Sequence, residues 1–289
     1  MQHVQIAVIG SGPAGLSAAL NACVRKKSTA IFSTDFRESG LYKAEVLDNI
    51  LGTPTLDGPA YLDLCQNQVK AHGAQFISGR VLSIMPSGKQ FFISVGSDVY
   101  SADTVILATG IVQKTSFTGE RELLGRGVSY CATCDGMLYR GKDVVVYIDS
   151  NEGIHEANFL KEIGCRVTAI AKGRDLSALD PDIPVISERK IAILGDSQVE
   201  GVQAGEAKIA CSGLFILRQG VAPDALISNL EIIDGHIAVN RQMQTNILGI
   251  FAAGDCIGKP YQVSKACGEG QIAAFSAVDY LDIQKKEKE

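Results

Sequence analysis

Apolar positions fall in short, separated runs whose spacing changes along the chain. Val4 to Ile9 (Val-Gln-Ile-Ala-Val-Ile) fits a buried strand, Pro13 to Arg25 is an Ala/Leu-rich helical stretch, and Thr29 to Phe32 is the next strand. Gly58 to His72 reads as a helix. Arg80 to Ala102 alternates in the manner of short strands turning at Pro86-Ser-Gly88 and Gly96-Ser-Asp98. Two segments of one style, Thr104 to Gly110 and Ile250 to Asp255, read as buried strands that end where backbone must come close to something. Asp143 to Ile148, Glu152 to Ile163 and Arg166 to Ala171 predict a second strand-helix-strand unit, and Val263 to Tyr280 a long closing helix. The expectation is an α/β protein in which a second nucleotide-type fold is inserted into the first.

Composition narrows the class. The 289 residues are 46% hydrophobic and 20% charged, as in an ordinary globular protein, and their length suits two domains. A formal charge of -5 argues against a nucleic-acid binder. No apolar run approaches the roughly 20 residues needed to cross a bilayer, and the first residues read as a strand instead of a signal peptide. The expected location is the cytoplasm.

Gly10-Ser-Gly-Pro-Ala-Gly15 stands between the first strand and helix. Gly10 permits the tight turn, Gly12 lets backbone approach a pyrophosphate, and Gly15 lets helix pack on strand, so this is a dinucleotide fingerprint. Arg25, Lys26 and Lys27 are expected to complement the dipole at the helix end. Of eight cysteines, only Cys131 and Cys134 are close, in Cys-Ala-Thr-Cys. Zinc would need a second pair or histidines at ligand spacing, which are lacking. Two cysteines separated by two residues can close a small reducible disulfide, although a surface disulfide or two buried thiols would read the same.

Taken in order, Gly10-x-Gly-x-x-Gly15, Ala108-Thr-Gly110, Cys131-Ala-Thr-Cys-Asp-Gly136 and Gly254-Asp255 resemble the motifs of low-molecular-weight thioredoxin reductases over nearly the whole chain. The resemblance implies a two-dinucleotide-binding-domain flavoprotein, with a split FAD domain at 1–112 and 226–289 and a central dithiol domain at 113–225. It implies that Gly10, Ser11, Gly12, Pro13, Ala14 and Gly15 hold the FAD pyrophosphate and that Asp255, beside Gly254, binds the ribityl chain. Asn49, Gly40 and Leu41 then fall near the flavin, and Ala108, Thr109, Gly110, Gln262 and Val263 complete the cofactor set. Cys134 becomes the flavin-facing thiol, Cys131 the thiol that attacks the substrate disulfide, and Asp135 the proton carrier. A homodimer and thioredoxin as partner also follow from the resemblance.

The chain departs from that family where NADPH would bind. A second glycine fingerprint would fall on Ile148, Ser150 and Gly153, and only Gly153 is glycine. Asp149 and Glu152 add negative charge at the helix start, where they stabilise the helix and repel a pyrophosphate. The run of basic residues that grips the 2′-phosphate falls on Ala171-Lys172-Gly173 and Ser177, with Arg174 nearby as a substitute. In these losses, and in Cys131 to Arg140, the sequence resembles the ferredoxin-dependent flavin thioredoxin reductases. A donor near -400 mV facing a thioredoxin near -270 mV leaves about 130 mV, roughly 6 kcal/mol over two electrons. Dithiol oxidases that discharge to oxygen, a non-enzymatic redox sensor, and an NADPH-dependent reductase with a divergent site stay open as alternatives. Lys114, Arg121 and Arg126 are read as ordinary solvated residues, and the tail from Lys285 to Glu289 as frayed.

Overall fold

The computed structural model describes all residues except 35, 36, 38, 40, 112–116, 121, 219–222 and 287–289, and the side chain of Asp224. Gly40, Lys114, Arg121 and the last three tail residues therefore lie outside the described residues. The chain forms two compact units, Met1–Gln113 with Gly220–Glu289, and Lys114–Gln219.

In the first unit β1 (His3–Ile9) leads through the glycine loop into α1 (Pro13–Val24) and β2 (Thr29–Ser33). α2 (Gly58–Ala71) starts where Asp57 Oδ1 accepts the Ala60 amide at 2.7 Å, an ordinary N-cap. Then come β3 (Gln75–Ser78), β4 (Val81–Ser87), β5 (Gln90–Val95) and β6 (Asp98–Leu107). The sequence separates an alternating ribbon from a buried strand beginning at Thr104, whereas the structure joins them as β6. The pattern changes because the environment changes. The first half of β6 pairs antiparallel with β5, from Val95 opposite Asp98 to Phe91 opposite Ala102. Its second half lies in the parallel part of the sheet, beside β1, with Val105, Ile106 and Leu107 buried.

The second unit opens with β7 (Val128–Ser129), α3 (Ala132–Asp135) and a 3₁₀ turn at Gly136–Tyr139. β8 (Asp143–Asp149), α4 (Asn151–Glu162) and β9 (Arg166–Ile170) form the expected strand-helix-strand unit, followed by β10 (Val185–Ile186). An antiparallel meander, β11 (Ile191–Leu194), β12 (Gly201–Ala204) and β13 (Ala207–Ala210), precedes β14 (Gly213–Arg218). The main sheet is parallel, in the order β10-β9-β8-β14-β7.

The chain then re-enters the first unit with α5 (Pro223–Leu226), β15 (Ile232–Ile233), β16 (His236–Ile237), β17 (Ile250–Ala252) and α6 (Val263–Lys286). Leu226, Ile227 and Leu230 are buried with Val4, Phe32 and Val105 in the first unit's core. β17 pairs parallel with the second half of β6, completing a seven-stranded sheet among the described residues. α6 runs past Tyr280 to Lys286 and packs on α1 through small residues, with Ala18, Ala19, Ala22, Ala273, Ala274 and Ala277 all fully buried. The approach is close: a Cβ on Gly270 would lie 2.1 Å from the Ala14 carbonyl oxygen. Two of the three cations after α1 also contact this helix, and Arg25 in addition donates to the Asn21 carbonyl of α1 at 3.2 Å. Arg25 stacks 3.7 Å from the Phe275 ring centroid and Lys27 pairs with Asp282 at 2.5 Å.

Candidate functional site

The first unit gathers its motifs at the carboxyl ends of its parallel strands. Ile9 is level with Leu107, and Leu107 with Ala252, so the chain turns out of β1, β6 and β17 at one sheet edge. This edge is where open α/β sheets bind ligands. The three fingerprint glycines have separable roles. Gly10 has φ +113°, and a Cβ on it would meet the Ala108 carbonyl oxygen at 2.2 Å; a Cβ on Gly15 would meet the Gly10 carbonyl oxygen at 2.0 Å. These two are required by backbone packing. Gly12 is different, since a Cβ there would meet nothing within 4 Å. It is also the N-cap of α1, and no side chain caps that helix. The cradle is therefore open at the residue where a pyrophosphate needs backbone access, and its residues fit a dinucleotide.

Gly254, at φ +86°, abuts α1, where a Cβ would come 2.8 Å from the Ala14 Cβ. Two residues of α6 that the sequence reading overlooked fix this turn. Glu269 accepts the Gly254 amide at 3.0 Å, while Lys265 donates to the carbonyl oxygens of Gly254 at 3.3 Å and Gly258 at 2.6 Å. Their i,i+4 spacing, with a Lys–Glu contact of 3.0 Å, was a visible signal, but of a helix pair only. Asp255 follows Gly254, and its carboxyl pKa is raised by burial, with Glu269 adding to the rise and Lys265 opposing it.

Ser11 is buried, and Pro13 and Ala14 form the first turn of α1. Thr109 and Gly110 continue from Ala108 beyond β6, with Gly110 at φ +67° and open space at its Cβ position. Asn49 donates to Gln262 Oε1 at 3.0 Å, which ties its loop to the residue before Val263 at the start of α6. Leu41 is half-buried against the α1–α2–α6 core, and its carbonyl accepts the Ala44 amide at 3.0 Å.

The second unit holds the dithiol. β7 pairs with β14, Ser129 opposite Phe215, and delivers the chain to a Cys131–Cys134 disulfide with 5.4 Å between Cα atoms. Cys131 is buried and Cys134 exposed. Cys131 is the N-cap of α3, and the Cys134 amide donates to its Sγ at 3.2 Å, an interaction that favours thiolate at Cys131 once the disulfide opens. Ser129 Oγ donates to Asp135 Oδ2 at 2.7 Å and accepts the Cys131 amide at 3.1 Å, so the carboxylate is held on the dithiol turn. The sequence carried no signal for this role of Ser129. From α4, Glu156 Oε2 accepts the Ala132 amide at 2.6 Å.

The start of α4 corresponds to the start of α1 but is closed. Its cap is Ser150, with Glu152 in the first turn as the sequence places it. Ser150 Oγ accepts the Gly153 amide at 3.0 Å and donates to the Leu217 carbonyl at 3.1 Å. Gly153 is packed on β14, where a Cβ would lie 3.0 Å from the Leu217 Cβ. Arg174, the candidate phosphate ligand, turns back to the same junction, donating to the Asp149 carbonyl at 2.5 Å and to Asn151 Oδ1 at 3.3 Å.

Residues 4–270 match the family described as pyridine nucleotide-disulphide oxidoreductase. A thioredoxin reductase from Treponema pallidum is 34% identical, the alignment covering 96% of this chain and 97% of that protein. Among solved structures, a ferredoxin-flavin thioredoxin reductase from Clostridium acetobutylicum is 40% identical with a TM-score of 0.93, covering 99% of each chain. A thioredoxin reductase from Gloeobacter violaceus is 26% identical with a TM-score of 0.83, covering 98% of this chain and 96% of that one. With an open dinucleotide cradle in one unit and a disulfide in the other, the chain belongs to the pyridine nucleotide-disulphide oxidoreductase family and is a flavin-dependent enzyme of the thioredoxin reductase kind, with FAD as its cofactor.

Proposed function

We propose that the enzyme reduces the disulfide of thioredoxin through Cys131 and Cys134 with electrons from reduced ferredoxin, not NADPH. The observation that carries the choice of donor is the closed start of α4, where Ser150 Oγ takes the Gly153 amide and Arg174 is itself engaged by the Asp149 carbonyl, two donors a second dinucleotide would need. The 40% identity to a ferredoxin-flavin thioredoxin reductase supports the same reading. Bound FAD accepts electrons singly and gives them up in pairs, the conversion that a one-electron donor requires.

In the thiol steps, the Cys131 thiolate attacks one sulfur of the thioredoxin disulfide and the other sulfur leaves as a thiolate; the Asp135 carboxylate takes the proton of Cys134 and passes it to that leaving thiolate. Cys134, now a thiolate, then attacks Cys131 Sγ, re-forming the Cys131–Cys134 disulfide and expelling the second thioredoxin sulfur as a thiolate, which regains from solvent the proton that Cys131 lost on ionising. Two electrons and two protons restore the dithiol. The exposure of Cys134 favours a second reading in which the two thiols exchange roles. Trapping decides between them: Cys134→Ser accumulates a thioredoxin mixed disulfide in the first case, Cys131→Ser in the second. Both variants lose turnover. The enzyme is further proposed to act as a homodimer in the cytoplasm, and sedimentation of the holoenzyme checks the dimer.

The test of the donor is an anaerobic titration following flavin absorbance and thioredoxin thiols with NADPH, NADH and then reduced ferredoxin. Only ferredoxin is expected to bleach the flavin and generate thiols. Rapid bleaching by NADPH restores the ordinary reductase reading. Bleaching by a dithiol substrate alone, with oxygen consumption on re-aeration, identifies a dithiol oxidase.

A further inference from the structure

The dithiol helix α3 and the turn after it rest on α4. A Cβ on Gly136 would come within 2.9 Å of Leu160 and 3.0 Å of Ile163, so the redox turn lies flush on the helix. Ala132 is wholly buried, and its amide is the first of α3, immediately after Cys131. Left unoccupied, that amide would add its positive end to the environment of the sulfurs and stabilise thiolate. Glu156 takes it instead, at 2.6 Å. A carboxylate this close fixes the amide and sets a negative charge at the residue that follows Cys131.

We propose that Glu156 is a positioning residue of the redox pair, one that holds the Cys131–Cys134 turn through the Ala132 amide and keeps the couple strongly reducing. The inference deepens the thioredoxin-reducing function proposed above and rests on it. Its physical basis is that disulfides whose reduced form is stabilised become oxidants, whereas a charge that disfavours thiolate makes the dithiol a better electron donor. Other ionisable groups on α3 and on the elements packed against it are Asp135, Tyr139 and, on α4, Glu152, His155, Lys161 and Glu162. Asp135 accepts from Ser129, and Lys161 is paired with Asp180 and Asp182.

The experiment compares the wild-type holoenzyme with Glu156→Gln, which keeps an acceptor for the amide and removes the charge, and with Glu156→Ala, which removes both. Each is equilibrated anaerobically in mixtures of reduced and oxidised dithiothreitol. The Cys131 and Cys134 thiols are counted by alkylation and peptide mass spectrometry, and the alkylation rate is followed against pH. Glu156→Gln is expected to shift the equilibrium about tenfold toward the dithiol, or about 30 mV for a two-electron couple, and to move the alkylation midpoint to lower pH. Glu156→Ala should show the same shift with a further loss of kcat for thioredoxin that Glu156→Gln is spared. An unchanged equilibrium and midpoint in Glu156→Gln, or shifts in the opposite direction, overturns the proposal, and this variant decides the matter should Glu156→Ala fail to fold. Thioredoxin and ferredoxin are absent from the equilibrium, so a wild-type enzyme inactive on thioredoxin refutes the functional reading separately.

Discussion

The helices α1 and α4 begin in the same topological place, after the first strand of a parallel strand-helix-strand unit, yet one start is open and the other closed. At α1 the cap is Gly12, with no side chain and no atom within 4 Å of where its Cβ would be. At α4 the cap is Ser150, 1% exposed and bonded on both sides, with Arg174 folded over the junction. A helix start can thus satisfy its amides from within or reserve them for a ligand. The difference is made by one cap residue and the arginine that closes over it.

The largest effect expected from breaking this contrast is at α1. Gly12→Asp should give a folded, colourless protein, since there is space for the side chain but its charge opposes the pyrophosphate; near-ultraviolet circular dichroism and flavin content check the two halves of that statement. Gly10→Val should prevent folding of the first unit altogether, because the clash is with backbone and the φ is left-handed. A coloured Gly12→Asp protein would sink the assignment of the cradle.

A smaller effect is expected at α4. Ser150→Ala removes the cap and leaves the Leu217 carbonyl without its hydroxyl partner, and should cost about 1–2 kcal/mol, read as a lower denaturation midpoint. FAD content should not change. Appearance of NADPH-driven bleaching in this variant would show that the serine alone excludes the nucleotide.

The smallest effect sharpens the chemistry of the open site. Asp255 has a raised carboxyl pKa in the folded state, so its favourable contribution is complete below the unfolded value and is lost as pH rises through the folded one. Asp255→Asn should accordingly make the apoprotein more stable than wild type at neutral pH, with the gap closing in acid, while weakening FAD retention. Thermal melts of apoprotein at several pH values, alongside a flavin titration, check both directions.

Much of this was legible in the sequence because glycine and apolar runs report backbone constraints directly. The roles of Gly10 and Gly15 are steric, and the pattern around them states those constraints. The damaged fingerprint at Ile148 and Ser150 was equally readable, and so were the charges of Asp149 and Glu152; what no pattern marked is that the Ser150 hydroxyl caps the helix and that the Asp149 carboxylate, 3.7 Å from Arg174, helps hold that arginine at the junction. Lys265, Glu269, Ser129 and Glu156 act across distances in sequence of 6 to 24 residues, and such contacts leave no periodic trace. The continuity of β6 was missed because a strand that changes partners midway also changes its hydrophobic pattern.

The late arrival of β17 and α6 has a consequence for how the chain is made. The buried alanines of α1 share their core with β1 and α2 but are completed by Phe251 and the small residues of α6, all after Ile250, whereas Lys114–Gln219 is contiguous and carries its own cores. As the polypeptide leaves the ribosome, the middle unit can close first while the amino-terminal part waits, the side of α1 that faces α6 bare to chaperones, until α6 has emerged. A nascent chain arrested before Ile250 would be protease-resistant in its middle and sensitive at its beginning, so that synthesis from one end and folding from the centre run in different orders.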